Sequence, residues 1–91
     1  MLDSVTITTE DFATSNYSSG FNCALAKALK RKYPNGNIRV LGDGFFINNI
    51  PISFNDIISN NILIRCGRAN KEPLVVEYDA TKLEYIKKYI K

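Results

Sequence analysis

Chemistry in this chain has to come from a short set of side chains. Apart from Ser4, the serines lie in the run Ser15-Asn16-Tyr17-Ser18-Ser19 or beside Phe54 and Asn60, and the sequence contains no histidine to serve any of them. A serine nucleophile needs such a base, so triad chemistry of the histidine kind is excluded, and the commonest transition-metal ligand is missing too. Cys23 stands near a helix start, where a thiol pKa can fall, but its local sequence offers no base. Glu10 and Asp11 are adjacent, and adjacent side chains diverge, which makes a poor acid/base pair. Asp43, Asp56 and Asp79 lack the spacing of a metal loop. Gly42-Asp43-Gly44 lacks the further glycine, the lysine and the following helix of a phosphate cradle and reads as a hairpin turn. Cys23 and Cys66 are too few for a disulfide framework and too far apart for a zinc pair, and are expected to be reduced core thiols. No enzyme activity, cofactor or metal is expected.

Binding is the alternative, and the residues for it are basic and aromatic. Lys27, Lys30 and Arg31 share one helix face, while Lys87 and Lys88 lie with Tyr85 and Tyr89 near the C-terminus. These seven are the candidate partner-binding positions, with the tyrosines as aromatic anchors. The bland reading stays open beside it: charged helix faces are usually solvated, and tyrosines flanking an apolar stripe usually finish a core. Charge is also polarised along the chain. Residues 1–22 carry Asp3, Glu10 and Asp11 with no basic residue, so the two ends suit either head-to-tail packing of subunits or two solvated faces. The helix patch Lys27, Lys30 and Arg31, with Arg39, Arg65, Arg68 and Lys71 elsewhere and Phe45-Phe46 or Tyr85 and Tyr89 as stacking platforms, is the case for nucleic acid. A net charge of +3 is modest and no nucleic-acid motif accompanies it, so that reading ranks below a protein partner.

The elements that must position these residues follow from period and punctuation. Val5-Thr6-Ile7-Thr8 alternates as a half-buried strand with Val5 and Ile7 inward, followed by a short turn at Thr9–Phe12 and an exposed loop over Ala13–Gly20. Asn22 is the expected N-cap of a helix running to Tyr33, with Leu25, Leu29 and Tyr33, and Ala26 beside them, facing the sheet. Ile38–Leu41 and Phe45–Ile47 are expected to form a hairpin. Asn48-Asn49 is expected as a left-handed turn, and Ile50-Pro51-Ile52 as an edge segment, since Pro51 has no ladder donor. Asn55–Asn60 is read as one helical turn and Ile62–Cys66 as a strand, with a basic loop over Gly67–Pro73. Leu74–Tyr78 is a strand, and Asp79 caps a terminal helix with Leu83, Ile86 and Ile90 inward. The expected fold is α+β: a small, mainly antiparallel sheet of four or five strands on one central helix, plus a C-terminal helix.

At 91 residues, 45% hydrophobic and 23% charged, the chain is expected to fold as one domain over residues 1–91. A core this small gains from docking onto a partner or onto copies of itself. No apolar run approaches the ~20 residues of a membrane span, and Met1-Leu2-Asp3-Ser4 lacks signal-peptide character, so a soluble, non-secreted protein without membrane partners is expected.

Val5-Thr6-Ile7-Thr8, then Asn22-Cys23-Ala24-Leu25-Ala26-Lys27-Ala28-Leu29-Lys30-Arg31, then Val40-Leu41-Gly42 and Lys71-Glu72-Pro73-Leu74-Val75-Val76 fall in a recognisable order. Over residues 5–78 the chain resembles a loose family of short, uncharacterised bacteriophage and prophage proteins with a strand, a Cys-x-[Leu/Ile]-Ala-x-Ala-[Leu/Ile] helix, a hairpin and a late Pro-led strand. Members often carry proline after the cysteine, where this chain has Ala24. The resemblance implies an α+β fold, phage origin and stoichiometric action, with no catalytic residue to transfer. The expectation is a virion accessory protein, auxiliary to the capsid or another structural component. The alternatives are an inhibitor of a host enzyme or defence system and, third, a nucleic-acid-binding module. Its place would be the virion or the host cytoplasm.

Overall fold

Alternation of β-branched and polar residues makes the first element, strand β1 (Leu2–Ile7), and puts Val5 and Ile7 in the core as expected. The computed structural model describes residues 2–14, 23–41, 44–54, 61–62 and 72–91. Thr8 ends β1 and caps the short helix α1 (Thr9–Ala13) through a reciprocal capping box with Asp11. Helix α2 (Ala24–Lys32) follows, starting one residue after Cys23. The expected cap Asn22 lies outside the described residues, and Cys23 is the N-cap, its Sγ accepting from the Ala26 N–H at 3.5 Å.

The apolar stripe of α2 behaves as its spacing predicts: Leu25, Ala26, Leu29 and, just past the helix, Tyr33 are all buried. Each leucine contributes about 1.5–3 kcal/mol by leaving water. Strands β2 (Ile38–Leu41), β3 (Gly44–Ile47) and β4 (Ile50–Ser53) form an antiparallel meander in that order. Asn48 and Asn49 hold the β3–β4 turn at φ 50° and 67°, the left-handed pair that a two-residue hairpin requires. Pro51 sits on β4, at the sheet's edge. Gly44 is required by space: a Cβ there would stand 2.3 Å from the Ile52 carbonyl oxygen.

Strand β5 (Leu74–Asp79) pairs antiparallel with β1, from Leu2 opposite Asp79 to Ile7 opposite Leu74. The α+β class, the antiparallel strands and the central helix are as expected, and the strands divide into a two-stranded sheet, β1–β5, and the three-stranded β2–β3–β4. Phe45 of β3 meets Tyr78 of β5 edge-on at 5.2 Å, so one aromatic contact joins the sheets inside a shared core. The C-terminal helix is realised as a 3₁₀ turn (Thr81–Leu83) and one turn of helix α3 (Lys87–Ile90). Asp79, expected as the cap of that helix, is instead the last residue of β5: its carboxylate accepts from the Thr81 N–H at 3.0 Å, but the N-cap of the 3₁₀ turn is Ala80, with no side-chain cap bond.

Asn61 and Ile62 are helical, so the strand expected over Ile62–Cys66 does not start at Ile62; a short apolar run has no period with which to choose. Its remainder, the expected turn at Asn55–Asn60 and most of the two long loops lie outside the described residues. Among the described residues no helix is long and apolar enough to cross a membrane.

Candidate functional site

Three of the predicted contact residues lie on α2, and the fold puts two of them to internal use. Lys27 reaches the C-terminal end of α1, its Nζ donating to the Thr14 carbonyl at 2.6 Å and to Thr14 Oγ1 at 2.7 Å. Arg31 forks onto Asp11, with Nη1 to Oδ1 at 3.0 Å and Nη2 to Oδ2 at 2.8 Å, and Nη2 also donates to the Thr6 carbonyl at 3.1 Å. Asp11 is 6% exposed and is fixed by its capping box, accepting from the Thr8 N–H at 2.9 Å. Burial pushes the Asp11 carboxyl up, but the hydrogen bonds from Arg31 and Thr8 outweigh it and hold the pKa below the usual carboxylate value. Lys30 is exposed on the same helix.

The next residue, Lys32, was not among the predicted contacts and makes the second ion pair, 2.7 Å from Asp3. It also donates to the Ser4 carbonyl and lies 5.8 and 5.9 Å from the ring centres of Tyr33 and Tyr78. Beneath it the Tyr33 and Tyr78 hydroxyls are hydrogen-bonded at 2.6 Å, and Tyr33 donates on to Asp3 Oδ2 at 3.3 Å. Burial raises both phenols, Tyr78 strongly. For Asp3, burial raises the pKa, but the bonds from Lys32, Ser4 and Tyr33 outweigh it and leave a net depression. Asp3 and Asp11 of the acidic N-terminal segment are thus each paired inside the fold with a base of α2.

The other predicted residues form an open aromatic and basic surface at the C-terminal segment. Leu83 and Ile90 are buried and Ile86 is half-buried, so the apolar side of the C-terminal segment is anchored. The Asn35 N–H donates to the Ile90 carbonyl at 3.1 Å and the Asn35 side chain to that of Lys91, tying the end of the chain to the turn after α2. Tyr85 and Tyr89 point the other way, 70% and 64% exposed. Tyr85, Lys87 and Lys88 line a shallow depression with Glu84 and Lys91, and Lys88 Nζ lies 5.0 Å from the Tyr89 ring centre.

Phe45, one of the expected stacking platforms, is core and unavailable, whereas Phe46 opens on the outer sheet face in a concavity with Asn37, Arg39 and Asn49. Arg65, Arg68, Lys71 and Cys66 lie outside the described residues; Cys23 is a buried free thiol serving as a cap. Among the described residues no three cysteine or acidic side chains gather as a metal site. Sequence reasoning missed Asp3, Asp11 and Lys32. The pattern Thr8-x-x-Asp11 was the available signal for the capping box, and nothing local pointed to the ion pairs.

Fold and surface together define a small α+β protein with an anchored, aromatic and basic C-terminal face. No protein-family model, curated protein or solved structure matches the chain.

Proposed function

We propose that this is a non-catalytic binding protein of phage origin, a virion accessory protein that docks through its C-terminal segment onto an acidic face of another particle component. The observation that carries the reading is the exposure of Tyr85 and Tyr89 beside Lys87, Lys88 and Lys91, on a segment whose opposite side is locked in the core. Aromatic side chains that stay exposed on an anchored backbone present contact area at low entropic cost, and neighbouring lysines favour a partner of opposite charge. The basic groups of α2 contribute less, since Lys27 and Arg31 already hold α1 and β1.

The resemblance to short phage proteins supports the choice of particle over enzyme. Mass spectrometry of purified particles of the encoding phage tests it, with the protein expected at a fixed stoichiometry. Its absence from particles would end the accessory reading. In that event, capture of one dominant host protein, lost on Tyr85→Ala/Tyr89→Ala, would make the same surface that of an inhibitor.

A further inference from the structure

A strand paired on one side presents its other N–H and C=O groups as a template for a further strand. Strand β1 pairs with β5 alone among the described residues, and its open edge is closed by charge. The Ser4 N–H donates to Asp3 Oδ1 at 2.8 Å, and the Ser4 carbonyl accepts from Lys32 Nζ. Two residues on, the Thr6 carbonyl accepts from Arg31 Nη2 at 3.1 Å, and past the strand the Thr8 N–H donates to Asp11 Oδ2 at 2.9 Å. These side chains are the two ion pairs Asp3–Lys32 and Asp11–Arg31, at 2.7 and 2.8 Å. Consecutive residues of α2 therefore supply the donors, and flanking carboxylates the acceptors, that a neighbouring strand would otherwise bring. An open groove lined by Ser4, Val5, Thr6, Ala28, Arg31 and Lys32 runs along this edge.

We propose that the β1 edge is a latent pairing surface for β1 of a second copy of this chain, held shut by Lys32 and Arg31. The occupant follows from self-complementarity. Antiparallel pairing about a two-fold axis at Val5 sets Ser4 opposite Thr6 of the second copy, both being residues whose carbonyls face the open edge. That register also keeps parity, so Val5 and Ile7 of both copies stay on the buried face and the joined sheet runs β5–β1–β1–β5. The surface is separate from the C-terminal one, and losing either leaves the other standing.

Sedimentation equilibrium of the purified Arg31→Gln/Lys32→Gln variant tests the proposal. The native chain is expected near its monomer mass of 10.3 kDa and the variant near twice that, with a dimer dissociation constant at least roughly tenfold lower. Adding Ser4→Pro should restore the monomer, because the Ser4 N–H bonds to Asp3 and its loss leaves the β1–β5 ladder intact. A folded double variant that stays monomeric overturns the proposal, and so does a dimer that survives Ser4→Pro, which must use another face. Should circular dichroism show the double variant unfolded, the single variants Arg31→Gln and Lys32→Gln, each of which opens one of the two ion pairs, take its place. A dimer in either single variant that Ser4→Pro abolishes supports the latch; two folded single variants that both stay monomeric overturn it.

Discussion

Helix α2 and the C-terminal segment are both basic, and they use their charge in opposite directions. On α2 the cations turn inward to carboxylates: Arg31 to the buried Asp11 and Lys32 to the half-buried Asp3, with backbone carbonyls completing each set. On the C-terminal segment Lys87, Lys88 and Lys91 gather beside exposed tyrosines, and Glu84 is the one acid among the described residues that line their depression. The difference teaches that clustering of bases in sequence does not mark a contact surface. A base whose groups are already satisfied by the fold holds structure together, and the remaining ones are left for a partner.

The sharpest way to break the comparison is to remove the acid that α2 depends on. Asp11→Ala removes the carboxylate half of the capping box and leaves the part-exposed Arg31 without its fork, and should cost about 2 kcal/mol in urea unfolding. A loss no greater than that of a surface substitution would mean that Arg31 is as solvated as the terminal lysines.

Acid should reach the same interactions. Asp3 and Asp11 both have folded pKa values below the 3.8 of a free aspartate. Their stabilisation is complete above that unfolded value and is lost as pH falls through the lowered folded ones. Unfolding free energy should therefore decline below about pH 4, and the decline should flatten in the Arg31→Gln/Lys32→Gln variant. Asp79, depressed to about 2 by its bonds from Thr81, titrates in the same acid range and should persist unchanged in that variant. A third, smaller effect belongs to the polar network under Lys32: Tyr78→Phe removes the hydroxyl bonded to Tyr33 and should cost about 1 kcal/mol.

How far this contrast was legible in the sequence depends on distance along the chain. Local signals worked: the alternation of Val5 and Ile7, the stripe Leu25–Leu29–Tyr33, the left-handed Asn48-Asn49 and the edge proline all appear as read. Partners far apart left no trace. Arg31 lies 20 residues from Asp11 and Lys32 29 from Asp3, so no spacing rule foretells the pairs that satisfy α2. The division into two sheets has the same origin, since β1 pairs with a strand from the other end of the chain. The terminal segment failed for a local reason. Leu83 N to the Ala80 carbonyl, Ile86 N to that of Leu83 and Tyr89 N to that of Ile86 are all three-residue bonds, which align 83 and 86 on one side without a continuous α-helix. Its stripe was legible and its pitch was not.

The smallest stability effect is the one that completes the comparison. Lys87→Ala/Lys88→Ala removes two charges, yet the C-terminal segment is held by Leu83, Ile90 and the Asn35 bonds, none of which these lysines supply. Thermal and urea unfolding should move by less than about 0.5 kcal/mol, as for surface positions without a buried partner. Capture of the partner, in contrast, should weaken markedly and become less salt-dependent, because a rim charge acts on encounter and screening more than on folding. Replacing Tyr85 and Tyr89 by alanine should weaken capture without that change in salt response, since an apolar anchor is not screened. A lysine variant that unfolds easily but binds as before would reverse the assignment, making the terminal bases structural and returning α2 to candidacy as the contact face.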